Sequence, residues 1–382
     1  MLGSSSSSHQ HKNNKDLDSR RSIAMRQHLT AAQLISQSDL SAANHLISIL
    51  SSNSSAYGDS SERLIHSFTK ALSLRLHYHQ WFMKTPSYNI NIYNDQYDSV
   101  LQSSYLSLNK ITPFIRFSQF TANQAILEVI DHQQNIHIID FDIMLGVQWP
   151  PLMQAISNHY PPPTLRITAI GTNLNTLRRT GDRLSKFAHS VGLKFSFYPL
   201  LLPNTNNETL TVDHLINHLS DVLLLPNETL AVNCDFYLHR HLNNRDKLCL
   251  LLSKIKSMKP RVVTLSEQEA YHNSPMFLSR FMEAMKYYTA VFESLEATLP
   301  PNSRERVEVE QVWFGKEIAD IVAEEGDCRS ERHERFRSWE VMMARVLLRL
   351  HYPCEGYNLE VIDDSFFLGW GNQSLFSVSS WR

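Results

Sequence analysis

Apolar positions in the first third of the chain recur every three to four residues. Leu40, Ala43, Ile47 and Leu50 form one stripe, and Leu64, Phe68, Leu72 and Leu76 form another. That spacing is the period of amphipathic helices, and the Ser-rich stretch 51–61 between the stripes has loop composition. Thr121 followed by Gln124 has capping-box form and predicts a helix start, with Ala125, Ile126, Val129 and Ile130 on its buried side. Residues 85–97, with Pro86 and several asparagines, read as irregular. Residues 1–20 are polar and Ser-rich and predict a disordered tail.

From residue 132 the pattern changes to short β-branched runs alternating with helical stretches, which predicts a parallel sheet. Strands are expected at 136–141, 165–170, 194–198, 229–236 and 261–266. Helices are expected after Pro150 and Pro151, over 174–189, near 212–222, and behind Asn243 as N-cap. Ser274-Pro275 opens a long helix with the stripe Phe277, Phe281, Met285, Tyr288, Phe292 and Leu295. Two further helices follow over 304–323 and 336–350. The runs 357–362, 366–370 and 375–381, split by Asp363-Asp364 and Gly371-Asn372, predict an antiparallel hairpin at the sheet edge. The expected fold class is α/β: a Rossmann-like, methyltransferase-type, mostly parallel sheet with a terminal antiparallel hairpin, plus an α-helical cap. The expected domains are a tail of 1–20, a cap of 21–131 and a core of 132–382. The helix of 274–298 is open to either the cap or the core.

Composition narrows the function classes. Apolar content of 42% and charged content of 19% over 382 residues are ordinary for a soluble globular protein. A formal net charge of −2 argues against direct binding to a nucleic-acid backbone. Cys234, Cys249, Cys328 and Cys354 form no Cys-x-x-Cys pair and read as reduced thiols. No run approaches the ~18 apolar residues of a membrane span, and the start of the chain carries no secretory-type apolar core. The expected home is cytosol or nucleus. Lys12, Lys15, Arg20 and Arg21 read as a solvated tail sooner than as an import signal.

Candidate chemistry centres on Asp140 and Asp142, at the carboxyl end of the first strand, where doubly wound folds collect ligands. Gly146, Gly171, Asn233 and Glu267 complete a candidate crevice. An S-adenosylmethionine-dependent methyltransferase needs a glycine-rich turn there and an acid at the end of the second strand. The turn after Asp140 instead holds Ile143, Met144 and Leu145 before its single glycine, Gly146. The second strand ends Ala169-Ile170-Gly171-Thr172-Asn173, without an acid. No catalytic residue is assigned and no cofactor is expected; methyl transfer or a small-ligand pocket in this crevice stands as the alternative. His239 and His241 flank Arg240 and suit one strand face, but no Cys or carboxylate stands nearby at ligand spacing, so no metal site is expected. Leu248, Leu251 and Leu252 fit a Leu-x-x-Leu-Leu recognition pattern and, better, a core stripe.

Several blocks recur together. They are Ile136-His137-Ile138-Ile139-Asp140 with Gln148-Trp149-Pro150, and Arg280 within Phe277–Phe281 followed by Phe292–Glu296. Arg332-His333-Glu334-Arg335, Trp339, Leu368-Gly369-Trp370 and Ser379-Ser380-Trp381 close the chain. On these blocks the chain resembles the plant GRAS family over nearly all of its length after residue 25, so that 21–382 reads as one GRAS domain. Leu145 stands where glutamine is usual before Gly146, and Ser380 where alanine is usual. The resemblance implies a nuclear transcriptional regulator with an α/β core and a helical cap. It implies action through protein partners, namely other GRAS proteins and DNA-binding transcription factors, zinc-finger factors among them. Homo- or heterodimers and indirect contact with DNA are implied too. Within the family the chain most resembles the branch linked to axillary shoot meristem formation. The motif residues are expected to be structural, and replacing Trp370 is expected to unfold the terminal hairpin.

Overall fold

The computed structural model describes residues 22–82, 95–202, 212–346, 350–351, 360–362, 365–370 and 373–381. Of these, 79–82, 95–98, 350–351, 360–362 and 365–366 are described by backbone alone. The expected tail, much of the irregular stretch 85–97, residues 357–359 and both expected turns of the terminal hairpin lie outside the described residues.

Five helices come first among the described residues: α1 (22–36), α2 (Leu40–Ser52), α3 (Ser60–Phe82), α4 (Asp95–Ile111) and α5 (Phe114–Ile130). Strands and helices then alternate through β1 (Asn135–Phe141), α6 (Trp149–Ser157), β2 (Thr164–Gly171), α7 (Leu174–Ser190) and β3 (Lys194–Leu201). The alternation continues with α8 (Val212–Ser220), β4 (Thr229–Asp235), α9 (Arg245–Ser257) and β5 (Val262–Gln268). After these come α10 (Phe277–Thr298), α11 (Arg304–Glu308), a π-turn at Val309–Trp313, α12 (Phe314–Ala323) and α13 (Phe336–Arg345). Four strands end the chain: β6 (Leu350–His351), β7 (Glu360–Ile362), β8 (Ser365–Trp370) and β9 (Gln373–Trp381).

Helix starts follow side chains able to take a free backbone N–H. Asp39 accepts from Ala42, and Asn173 accepts from Thr176. The cap of α9 is Asn244, which accepts from Lys247, one residue after the expected Asn243. Two expected starts are corrected. Helix α5 runs unbroken through Thr121 from Phe114, because buried Phe114 and Ile115 already anchor its first turn and nothing interrupts its ladder. Helix α10 starts at Phe277 without a side-chain cap, and the Ser274 hydroxyl instead accepts from the Met276 N–H.

Among the described residues the sheet has nine strands, in the order β3-β2-β1-β4-β5-β9-β8-β7 with β6 paired to β9 off that path. Strands β1 to β5 pair in parallel, while β9 runs antiparallel to both β5 and β8. The expected terminal hairpin is present, but its strand β9 lies inside the sheet against β5, not at an edge. That placement is physical: Leu375 to Trp381 are buried, and such a strand needs neighbours on both sides. A register shift marks Leu368/Gly369, where a Cβ on Gly369 would stand 2.7 Å from the Gln373 carbonyl oxygen.

Side chains alternate across the sheet and build two cores. Ile136 and Ile138 join Ile126, Ile130, Trp149 and Leu152 on one face. Ile139 and Phe141 join Leu248, Leu251, Leu252, Trp339 and Trp381 on the other. The leucines of the Leu-x-x-Leu-Leu pattern are therefore core, and only Leu250 between them is exposed. Trp381 is buried in this core, whereas Trp370 is only half-buried, so the terminal strand is anchored by its last tryptophan.

The chain divides into two compact units. One groups α1 to α3 with residues 274–325, and the other groups α4, α5 and the sheet with everything described after residue 326. This grouping is drawn differently from the expected 21–131 cap: α4 and α5 go with the sheet, and 274–325 goes with α1 to α3. Helix α5 packs on β5 and β9 through Phe114 and its buried neighbours, and α10 packs on α3, where Phe281 meets Phe68 edge-on at 5.5 Å.

Candidate functional site

Asp140, Asn233 and Thr264 stand side by side across the parallel strands β1, β4 and β5, with Asp140 one residue from the carboxyl end of β1. This is where a doubly wound sheet would present a ligand site. Every polar group there is turned inward. The Trp149 indole N–H donates to Asp140 Oδ2 at 2.8 Å, and Asn233 Nδ2 donates to Asp140 Oδ1 at 3.1 Å. Asn233 Nδ2 also donates to Gln148 Oε1 at 3.0 Å, and Gln148 Nε2 returns to Asn233 Oδ1 at 3.2 Å. Asn123 on α5 donates to the Gln148 carbonyl at 2.8 Å, and the Thr264 hydroxyl donates to Asn233 Oδ1 at 2.8 Å. Burial pushes Asp140 up to about 7 against the lowering effect of its Asn233 and Trp149 donors. Burial likewise pushes neighbouring Asp235 up to about 7.

The turn that would approach a nucleotide is filled. Ile143 and Leu145 are buried, and Asp142, Met144 and Gly146 all take positive φ. The Thr180 hydroxyl donates to the Met144 carbonyl at 3.1 Å, and Arg183 donates to the Leu145 carbonyl at 2.8 Å. A Cβ on Gly146 would meet Thr180 Cγ2 at 2.9 Å, so the glycine lets α7 close onto the turn instead of exposing backbone to a ligand. The following helix α6 begins Trp149-Pro150-Pro151, so two of its first three residues have no N–H, and the third N–H bonds Gly146 O. The usual anion-binding donors of a helix start are therefore missing or occupied.

The other candidate crevice residues go elsewhere. Asp142 accepts from Arg240 at 2.7 Å, and Gly171 packs under Leu177. Glu267 on β5 accepts from His239 Nδ1 at 2.7 Å and from the His239 backbone N–H at 3.1 Å. His239 and His241 lie in a 3-10 turn, Leu238–His241, not on a strand face. His239 Nε2 lies 3.1 Å from Glu331 Oε2, in the extended stretch before α13, and the His239 and His333 rings lie 4.3 Å apart. Burial alone lowers the His239 pKa, but the charges and hydrogen bonds of Glu267 and Glu331 outweigh it and raise the value to about 9. No ligand-type spacing in the sequence announces this cluster, because its members stand 28 and 92 residues from His239.

The remaining motif residues hold the frame. His137 on β1 is buried, with Nε2 2.8 Å from Thr168 Oγ1, and its Nδ1 accepts from Arg166 at 3.0 Å. Burial and then the Arg166 charge lower it to about 4, so the ring is neutral and Nε2 carries the proton. Buried Arg280 donates to the carbonyls of Ile321 and Ser274 and to Glu325 at 2.6 Å. Glu334 pairs with Arg245 and accepts from Asn273 at 2.8 Å, and its carbonyl accepts the Trp339 indole N–H at 3.2 Å. Trp381 donates to the Ser379 hydroxyl at 3.0 Å. Ile138, Ile139 and Trp149 are core, and Pro150 sits in the first turn of α6.

The model of the GRAS domain family matches residues 25–382. Scarecrow-like protein 18 of Arabidopsis thaliana is 46% identical, over 92% of this chain and 90% of its own length. Protein MONOCULM 1 of Oryza sativa subsp. japonica is 38% identical, over 93% of this chain and 87% of its own. The crystal structure of SCL7 in Oryza sativa superposes with a TM-score of 0.74 at 30% identity, covering 94% of this chain and 99% of that one.

Proposed function

The chain belongs to the GRAS domain family, and on that premise we propose that it works in the nucleus as a regulator of transcription that makes protein contacts and no covalent chemistry. The family membership and the relatives support a plant transcriptional regulator. The finer reading is a role like that of Lateral suppressor in forming axillary shoot meristems. Its partners would be other GRAS proteins, in homo- or heterodimers, and DNA-binding transcription factors, zinc-finger factors among them. DNA would be reached through those factors. No helix among the described residues is long and apolar enough to cross a membrane.

The observation that carries the non-enzymatic reading is the closed amide network over Asp140. A cofactor would have to displace hydrogen bonds among buried groups, each worth about 0.5–1.5 kcal/mol net and more where a partner is left unpaired. The test pairs two measurements on the full chain. Calorimetric titration with S-adenosylmethionine is expected to give no binding heat, and micromolar affinity would overturn the non-enzymatic reading. Pull-down with DNA-binding factors is expected to retain the chain, while the purified chain alone leaves promoter DNA unshifted. A promoter shift by the chain alone would overturn the indirect route.

A further inference from the structure

We propose that His239, Glu331 and His333 form a three-ligand site for one divalent transition-metal ion of the zinc class. Their ligand atoms, an imidazole nitrogen or carboxylate oxygen from each, all lie within 4.8 Å of one another, and all three residues are buried. Glu331 Oε2 stands 3.1 Å from His239 Nε2 and 3.3 Å from His333 Nε2. A tetrahedral zinc ion with bonds near 2.0–2.2 Å separates neighbouring ligand atoms by about 3.3 Å. Both Glu331 distances match that spacing, and the two imidazoles stand within 4.8 Å of each other. Two histidines and one carboxylate are also a donor set that zinc accepts, with water as the fourth ligand.

The surroundings orient the ligands as a metal requires. Glu267 accepts from the Nδ1 and the backbone N–H of His239, which fixes the ring and leaves Nε2 facing Glu331. A carboxylate behind a ligating imidazole is the usual outer support of zinc sites. His333 is held through its backbone carbonyl, which accepts from the N–H groups of His272 and Asn273 at 2.9 and 3.2 Å. Its Nδ1 stands 3.0 Å from His272 Nδ1, and the tautomer in which His333 Nδ1 donates to His272 leaves a lone pair on Nε2. His333 Nε2 is fully buried and faces the same carboxylate, with Glu331 Oε2 3.3 Å from it. The ion would tie the turn after β4 to the stretch ahead of α13, two segments that share no strand pairing.

The test uses the full-length chain, dialysed against Zn²⁺ and then against metal-free buffer. About one zinc per chain is expected by mass spectrometry, with a higher melting temperature than the chelator-treated sample. Cobalt in place of zinc is expected to give tetrahedral visible absorption. Zinc-edge X-ray absorption on the wild-type chain is expected to show imidazole and oxygen neighbours. Glu331→Gln, which keeps the shape, is expected to abolish tight binding, and Glu267→Gln to weaken it roughly 10–100-fold. Wild-type chain that emerges without zinc overturns the proposal, as does a sulfur shell in the absorption spectrum. Full retention of zinc by folded Glu331→Gln overturns it too. If a variant fails to fold, the wild-type stoichiometry and absorption spectrum decide alone.

Discussion

Buried Glu310 of the helical unit and buried Asp140 of the sheet unit are held by different chemistry. In the helical unit, Glu310 is fully buried against Arg63, whose Nε donates to Glu310 Oε2 at 2.7 Å and whose Nη2 donates to Oε1 at 3.1 Å. Half-exposed Glu325 there accepts from both Arg280 and Arg75 at 2.6 and 2.7 Å. In the sheet unit, Asp140 meets an indole and an amide, both neutral, one residue from the carboxyl end of β1. Burial is the largest influence on both and raises Glu310 as well as Asp140, but at Glu310 the Arg63 guanidinium opposes it, while at Asp140 only neutral donors do. The difference shows that Asp140 is held for shape and not for charge, whereas Glu267 and Glu334 in the same unit keep cationic partners. A catalytic acid or a ribose-binding acid would need the reverse exposure, with at least one oxygen facing an open pocket.

The largest expected effect breaks the ionic side of this contrast. Arg63→Met leaves Glu310 buried without its bidentate partner and is expected to cost about 3–5 kcal/mol in urea denaturation. Next comes pH. Asp140 and Asp235 have folded pKa values near 7, above the ordinary 3.8, so the native sheet binds protons more tightly than the unfolded chain. Their contribution is full below pH 4 and is lost as pH rises through 7, roughly 4 kcal/mol for each acid across that window. Asp140→Asn is expected to remove about half of that slope, and an unchanged slope would show that Asp140 is already ionised in the fold. Gly146→Ala, at φ +63 and facing Thr180, is expected to cost about 1–3 kcal/mol by thermal melting. The smallest effect has the opposite sign to the sheet's pH response. Burial raises Glu325, but Arg280 and Arg75 outweigh it and hold its pKa below the usual value. Its contribution is present above pH ~4.5 and fades in acid. Hydrogen exchange should therefore show α3 and α10 loosening as pH falls, while β1 and β4 loosen as pH rises.

Part of this was legible residue by residue. The run Ile136–Phe141 reads as a buried strand, and Asp140 ends it with Trp149 nine residues on, close enough for a local hydrogen bond. The filled turn of Ile143, Met144 and Leu145 could be read as hostile to a cofactor without coordinates. Asn123 and Thr264 could not be placed in the same network, because nothing within either segment says which strand becomes its neighbour. The false helix start at Thr121 has the same root: a capping pair is a local motif, and a helix already running over it leaves the motif unused. His239 and Glu331 give no signal at all, since 92 residues separate them.

By itself the sequence determined the periods: 3.6-residue stripes in α2 and α3, two-residue or continuous apolar runs in β1 to β5, and the side chains that cap and stop them. Those properties belong to single segments, because backbone geometry repeats within a few residues. Only the tertiary structure decided that β9 enters between β5 and β8, and that 274–325 groups with the first three helices. It alone also brought Glu331 to His239. Such choices compare whole arrangements by how much apolar surface they bury and which polar groups they leave satisfied, and no window of the chain contains that comparison.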